Sequence, residues 1–182
     1  SIYEYFMEQY SFAEIPSHSR IIVEHYSDGK SKRKYVAFHT LYGRRVNDCL
    51  SRAVAFAIAR TQHRDVEIGI NDNGFYVASD KSVNVMKAFN MIKSEEMRKV
   101  MDMAIENTEV LKRRFRHCAS RAMMILRRYK GHEKRVGRQQ VSSMILLNAV
   151  KRIDQNFCIL KEARREVLED LMDIENAAKV IE

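Results

Sequence analysis

The fold of this chain is decided by residues 66–78, Val66-Glu67-Ile68-Gly69-Ile70-Asn71-Asp72-Asn73-Gly74-Phe75-Tyr76-Val77-Ala78. Apolar and polar side chains alternate through residues 66–71, which is the pattern of a strand with one buried face. The dipeptide Asn73-Gly74 is a tight-turn signal that supplies positive φ angles, and residues 75–78 return with strand-forming side chains. The segment therefore predicts a β-hairpin.

A second hairpin is predicted upstream of this one. Residues 20–26 and 34–40 are rich in β-branched and aromatic side chains, and they flank the turn Ser27-Asp28-Gly29. A short helix over residues 2–12 precedes this hairpin, and Pro16 stops its pattern because proline cannot continue a helix interior. Between the two hairpins, apolar side chains step by three and four and predict a helix with one buried stripe: Val46, Leu50, Ala53, Val54, Ala57 and Ile58.

Beyond Asp80 the strand signals stop and amphipathic helical patterns begin. The predicted helices span residues 83–92, 97–105, 109–129, a segment around 141–148, 162–171 and 173–181. Ser94 is the predicted N-cap of the second of these helices and Gly131 the C-cap of the third. We therefore predict an α+β fold: a small antiparallel sheet of two hairpins packed with a helix in residues 1–80, followed by an α-helical subdomain in residues 81–182.

Composition excludes several classes of protein. Of the 182 residues, 46% are apolar and 31% are charged, which is typical of a soluble globular domain. No apolar run approaches the roughly 20 residues that cross a bilayer, so we expect a cytoplasmic protein without a membrane partner. The three cysteines are far apart and the six histidines have no ligand spacing, so we predict neither a disulfide framework nor a metal site.

The sequence contains no motif for catalysis. It lacks a Gly-x-x-x-x-Gly-Lys-Ser/Thr loop, so the chain cannot bind and hydrolyse ATP by the P-loop route. We predict no catalytic residue and no cofactor in these 182 residues, and therefore no enzyme activity of the chain alone. Nuclease or glycosylase activity is an alternative that rests only on scattered carboxylates.

The positive charge of the chain is concentrated in residues 108–140. This stretch holds eleven Lys or Arg against two Glu, a net charge of +9, whereas the whole chain carries +8. Acidic partners at i+4 are nearly absent, so the usual salt bridges of a charged helix surface cannot form. The pattern favours a polyanion, with nucleic acid first, over a merely solvated helix face. The predicted contacts are Lys112, Arg113, Arg114, Arg116, Arg121, Arg127, Arg128, Lys130, Lys134, Arg135 and Arg138.

A second candidate contact lies where the first hairpin leads into the helix, at His39-Thr40-Leu41-Tyr42-Gly43-Arg44-Arg45-Val46-Asn47-Asp48. Arg44 and Arg45 would stand at the helix N-terminus, where the backbone dipole already places about half a positive charge. A phosphate held by the free N–H groups and by one of these arginines would compensate both. The alternative is that Asp48 pairs with one of the arginines and both guanidinium groups face water.

The C-terminal helices carry a group of carboxylates that we predict to form an exposed acidic face: Glu162, Glu166, Glu169, Asp170, Asp173 and Glu175. Such a face suits contact with a basic neighbour better than acid–base catalysis. A protein-interaction module, whose basic helix docks on acidic surfaces, is the main alternative to nucleic-acid binding.

Taken together, these segments resemble the DEAD/H-associated region of the large helicase-related (Lhr) proteins, superfamily 2 ATP-dependent helicases of archaea and bacteria, and the archaeal members more closely. The resemblance runs over nearly the whole chain. It is carried by Ile15-Pro16-Ser17-His18-Ser19-Arg20, the segment 39–48, the hairpin 66–77, Arg113-Arg114-Phe115-Arg116-His117 and Leu126-Arg127-Arg128-Tyr129-Lys130-Gly131.

The resemblance implies that two RecA-like motor domains and a winged helix precede Ser1, that they use ATP and Mg²⁺, and that they dock on this region. It implies 3′ to 5′ movement on single-stranded DNA, unwinding of duplexes that include RNA:DNA hybrids, and a role in DNA repair. This region would complete the path of the translocating strand. Bacterial relatives carry an aromatic residue at the position that we align with Leu50; because leucine stacks poorly on a base, we expect no stacking there.

Overall fold

A computed structural model describes residues 1–29, 32–126, 128–133 and 135–182 of the chain. The chain divides into two compact units, the first formed by residues 1–100 with 173–182 and the second by residues 101–172. The predicted division after residue 80 falls inside the first unit, because the next helix buries Val85 and Ala88 and packs on the helix between the hairpins.

The first unit is built on a four-stranded antiparallel sheet. Its strands are β1 (Ile22–Ser27), β2 (Lys34–His39), β3 (Glu67–Asn71) and β4 (Gly74–Ser79), in the spatial order β1-β2-β4-β3. The two predicted hairpins therefore join through β2 and β4. Gly74 is needed at this junction because a Cβ there would lie 2.1 Å from the backbone oxygen of Phe38.

Helix α2 (Arg44–Gln62) packs against the sheet as its apolar stripe predicts. Val54 and Ile58 are fully buried, and the rings of Phe38 and Phe75 stack beside them in the core with centroids 4.4 Å apart. Three further helices in or entering this unit are α3 (Val85–Asn90), α4 (Met97–Ile105), which crosses the boundary between the units, and α8 (Ile174–Ile181), which packs on α2. Helix α1 (Ile2–Phe12) has a capping box between Ser1 and Glu4 and no buried residue.

The second unit is mainly helical. Helices α5 (Glu109–Arg121), α6 (Val136–Ile153) and α7 (Cys158–Arg165) pack with α5 in contact with both others, and a π-helical turn over Glu166–Leu171 continues α7. Its core is formed by apolar side chains that are almost wholly buried: Leu111, Phe115, Cys118, Ala119, Leu147, Leu160, Ala163, Val167 and Leu168. The α+β fold class is confirmed.

The prediction of one helix over residues 109–129 is wrong. Helix α5 ends at Arg121, and Met123 then adopts a left-handed φ of 57°. A short hairpin follows, with strands β5 (Arg128–Tyr129) and β6 (His132–Glu133). Gly131, at φ 78°, serves the turn of this hairpin rather than a helix C-terminus.

None of the helices in the described ranges combines the length and the hydropathy that a transmembrane span requires.

Candidate nucleic-acid interface

Two buried polar side chains hold the turn before α2 in place. Thr40 and Asn47 are fully buried, and the Thr40 hydroxyl donates to the Asn47 side-chain oxygen at 2.7 Å. The Asn47 amide in turn donates to the backbone oxygens of Asn71 and Asp72 at 3.0 and 3.2 Å. Two polar residues of the segment 39–48 thus tie the start of α2 to the β3–β4 turn, since buried polar groups need partners.

The N-terminus of α2 presents positive charge without a side-chain cap. Gly43 occupies the N-cap position at φ 83°, and the first turn contains no acidic residue. Arg44 and Arg45 are both exposed, and Arg44 has no partner among the described residues. Arg45 lies near Asp173: burial opposes the ionised form of this carboxylate, but hydrogen bonds from Asn176 and the charge of Arg45 lower its pKa.

Asp48 does not neutralise either arginine of the turn. Its carboxylate instead accepts a hydrogen bond from Nε of Arg52, one helical turn further on, at 2.6 Å, and both side chains are only 20% exposed. The alternative in which Asp48 pairs with Arg44 or Arg45 is therefore wrong. The positive charge of Arg44, which has no partner among the described residues, remains available to an anion.

Half of the α5 arginines are neutralised within the chain. Arg114 Nη1 lies 3.3 Å from Glu166 Oε2, and Arg121 donates to the other oxygen of the same carboxylate. The Glu166 side chain is only 6% exposed, so this carboxylate is held in the interior of the second unit by its two arginines. Lys112 pairs with Glu109 at 2.7 Å, a local i,i+3 contact.

The predicted exposed acidic face is largely occupied by internal contacts. Glu166 is buried, so its place on an exposed face is wrong. Glu162 and Asp170 both accept hydrogen bonds from Arg165, and the Glu162 bond lowers the pKa of that carboxylate. Asp173 caps the N-terminus of α8 by accepting from the Asn176 backbone N–H at 3.1 Å. Asp170 and Glu175 are the exposed members of this group, and Asp170 is paired with Arg165.

A second set of cations in the second unit has no acidic partner in the part of the chain that the structure describes. Arg113 and Arg116 are one turn apart on α5, and Arg135 and Arg138 stand at the N-terminus of α6. We call these four residues the unpaired arginine set. Arg138 falls in the first turn of α6, which also lacks an acidic residue and a side-chain cap. Cations at that end of a helix are unfavourable without an anion nearby.

The arginines of α5 affect the pKa of His117, which lies on the same helix. The pKa of His117 is lowered from its ordinary value of 6.5, first by partial burial and then by the positive charges of nearby arginines. The four contributing residues are Arg116, Arg114, Arg121 and Arg113. His117 therefore lies close enough to these four arginines for their charge to disfavour its protonated form.

The remaining predicted contacts lie in and around the β5–β6 hairpin. Arg128 is 76% exposed and its guanidinium lies 3.8 Å from the Glu133 carboxylate, too far for a hydrogen bond. Lys130 occupies the hairpin turn at φ 48° and has a partner within the chain. Arg127 and Lys134 lie outside the described residues.

Neither base stacking at residue 50 nor cysteine chemistry is available in the core. Leu50 is fully buried, so it offers no surface to a base. Burial raises the pKa of the Cys49 thiol to about 12 and that of Cys118 to about 11, which keeps both protonated and unreactive near neutral pH. Within the described ranges, no three His, Cys, Asp or Glu side chains come together as a metal site.

The pairing of Glu166 is the feature that sequence reasoning missed. Its partners are 45 and 52 residues away in sequence, so no local pattern reveals them. A signal of its burial does exist: Glu166 follows Ala163 by three positions on the stripe that Leu160, Ala163 and Val167 bury.

The chain belongs to the DEAD/H-associated family, which matches residues 15–182. It is 57% identical, over all 182 residues, to the ATP-dependent helicase Lhr-Core of Methanothermobacter thermautotrophicus, and 43% identical over 187 aligned residues to that of Saccharolobus solfataricus. The resemblance to archaeal Lhr proteins is confirmed. The chain spans about a fifth of the length of these curated relatives, 21% in both cases.

A solved structure has the same fold. It is that of the Mycobacterium smegmatis helicase Lhr bound to single-stranded DNA and AMP-PNP, which matches 92% of this chain with a TM-score of 0.79 and 25% sequence identity. The matched region is 21% of that helicase chain. This chain is thus similar to one helicase-associated domain within a larger ATP-dependent helicase.

Proposed function

We propose that this chain is an accessory nucleic-acid-binding domain of an ATP-dependent 3′ to 5′ DNA helicase of the cytoplasm, and that it grips the translocated strand by its phosphates. The observation that carries the proposal is the contrast on α5. Glu166 neutralises Arg114 and Arg121 from the interior, whereas Arg113 and Arg116 meet no carboxylate of the described residues. Clustered cations of this kind match the spaced charges of a phosphate backbone.

Each group of residues has a defined role in this proposal. The unpaired arginine set and the β5–β6 hairpin would follow the backbone electrostatically, and Arg44 and Arg45 would bind a phosphate at the start of α2. The strand would be single-stranded DNA or one strand of an RNA:DNA hybrid. ATP and Mg²⁺ would act in motor domains outside these 182 residues, and those domains and a winged helix would be the protein partners.

The test is binding of the 182-residue chain to a single-stranded oligodeoxynucleotide across a salt series. Five phosphate contacts, one for each member of the unpaired arginine set and one at the start of α2, predict that log affinity falls with log salt at a slope of about −3.5, from roughly 0.7 per phosphate on a single strand. A steep negative slope supports the proposal. Absence of binding at low salt contradicts it.

A protein-interaction module is the second candidate, and one observation favours it. On α6, Val141 and Ile145 are 59% and 66% exposed, close in sequence to the unpaired Arg138. An apolar strip beside cations suits an acidic amphipathic segment of the helicase motor or of another protein. Failure to bind DNA at low salt, together with salt-sensitive binding of an acidic helicase domain, would favour this candidate.

A further inference from the structure

The first unit contains an open cleft of about 670 Å³ that the phosphate contacts do not use. Three segments form its walls: the loop that leads into β1, the turn that leads into α2, and helix α8. The first two are segments 15–20 and 39–48, which are separate in sequence and meet here. The cleft is lined by His18, Ser19, Ile21, Tyr42, Val46, Asp173, Asn176, Lys179 and Val180.

The walls of the cleft are held by contacts among themselves. The Tyr42 hydroxyl donates to the backbone oxygen of His18 at 3.1 Å, which joins the first wall to the second. The backbone groups of Ser17 and Arg20 exchange hydrogen bonds at 3.1 and 3.2 Å and close the loop between them. The cleft is therefore formed before any ligand arrives.

The lining combines an aromatic ring and apolar side chains with one cation, Lys179, and one carboxylate, Asp173. The ring of Tyr42 is half-buried, Val46 is buried, and Ile21 and Val180 are half-buried, so the cleft offers apolar surface beside an aromatic ring. Lys179 is exposed on α8 and lies near Asp173. Arg44 does not line the cleft itself, but it is exposed on the turn between the lining residues Tyr42 and Val46. A volume of this size suits a small organic ligand with a few polar contacts.

We propose that this cleft receives one nucleobase of the bound strand, while Arg44 and Lys179 contact the phosphates on either side of that nucleotide. The inference rests on the proposed function, because it places one nucleotide of the same strand. A base fits the aromatic and apolar walls and has exocyclic amino groups that can donate to the Asp173 carboxylate, while the adjoining phosphates fit the two cations. Leu50 is buried, so a base contact in this unit needs another surface, and the cleft supplies one.

The experiment distinguishes binding of the nucleobase from binding of the phosphate backbone. The chain is titrated with a fluorescent single-stranded oligodeoxynucleotide and with an abasic oligomer of the same length and charge. Two variants fill the cleft, Asn176→Trp and Ser19→Trp, and Glu175→Trp is the matched control because Glu175 neighbours Asn176 on α8 but does not line the cleft. Circular dichroism checks that each variant is folded.

We expect the unsubstituted chain to bind the base-bearing strand at least about fivefold more tightly than the abasic oligomer. This preference should fall below about twofold in both cleft-filling variants and remain in Glu175→Trp, with the affinity for the abasic oligomer unchanged throughout. Equal affinity of the unsubstituted chain for the two ligands, or a preference that survives in both cleft-filling variants, overturns the inference and leaves the phosphate grip standing. Failure to bind either ligand overturns the proposed function as well.

Discussion

Two pairs of arginines on the same helix have opposite surroundings. Arg114 and Arg121 converge on the buried carboxylate of Glu166, whereas Arg113 and Arg116 have no acidic partner in the described chain. In the sequence all four belong to one basic run and look equivalent. Neighbouring arginines of one basic cluster can therefore differ in role, and here the position of the Glu166 carboxylate separates the structural pair from the pair left for a ligand in the proposed function.

The largest expected effect is on the structural pair. Glu166→Ala removes a buried carboxylate and leaves Arg114 and Arg121 without their counterion, so we expect the free energy of unfolding to fall by about 2 kcal/mol. Arg121 is 59% exposed and can turn to water, which keeps the loss below that of a fully buried pair. Urea denaturation followed by circular dichroism measures the change.

The control for this prediction is Glu175→Ala, which removes an exposed carboxylate from α8. It should change stability by less than about 0.5 kcal/mol. Equal stabilities of the two variants would show that Glu166 does not hold α5, and the comparison between the two pairs would lose its basis.

The next effect is on the unpaired arginines. The double change Arg113→Gln and Arg116→Gln should leave stability unchanged but reduce affinity for single-stranded DNA by about tenfold at 0.1 M salt, and the slope of log affinity against log salt should become shallower by about 1.4. The matched control is Lys87→Gln with Lys99→Gln, which removes two exposed charges outside the basic stretch. A similar loss in both double variants would mean that net charge alone drives binding.

The same contrast recurs, on a smaller scale, at the start of α2. Arg52 pairs with Asp48 at 2.6 Å, whereas Arg44 has no partner among the described residues. We expect Arg52→Gln to lower the free energy of unfolding by about 0.5 kcal/mol without changing DNA affinity. Arg44→Gln should do the reverse, with unchanged stability and about threefold weaker binding. The result that would break this pattern is weaker binding in the Arg52 variant alone.

The sheet could be predicted from sequence, but the division of the arginines could not. Alternating side chains and the Asn73-Gly74 turn are local signals, and β3 and β4 form where they indicate. The end of α5 was hidden because Ile125 continues the apolar spacing of the helix and is itself buried after the chain has turned. The partners of Glu166 depend on how α7 packs against α5, a contact between distant segments that no periodicity encodes.

The smallest expected effect is a change in the protonation of His117 when DNA binds. In the free chain the pKa of His117 lies below 6.5 because of partial burial and four nearby arginines. The unfolded chain therefore binds more protons than the folded one just below that pH, so this residue's contribution to stability is present above the unfolded pKa and is lost as the pH falls. A strand of phosphates lying along Arg113 and Arg116 would offset the arginine charge and raise the pKa of His117.

Binding should then be accompanied by uptake of a fraction of a proton, so affinity for single-stranded DNA should increase as the pH falls from 7.5 to 6. This increase should be larger in the unsubstituted chain than in the His117→Gln variant. NMR titration of the His117 ring, with and without saturating oligonucleotide, measures the shift directly. A ring whose pKa is unchanged by bound DNA would place the strand away from Arg113 and Arg116. The unpaired pair would then be a solvated helix face, and the contrast with Arg114 and Arg121 would be one of burial alone.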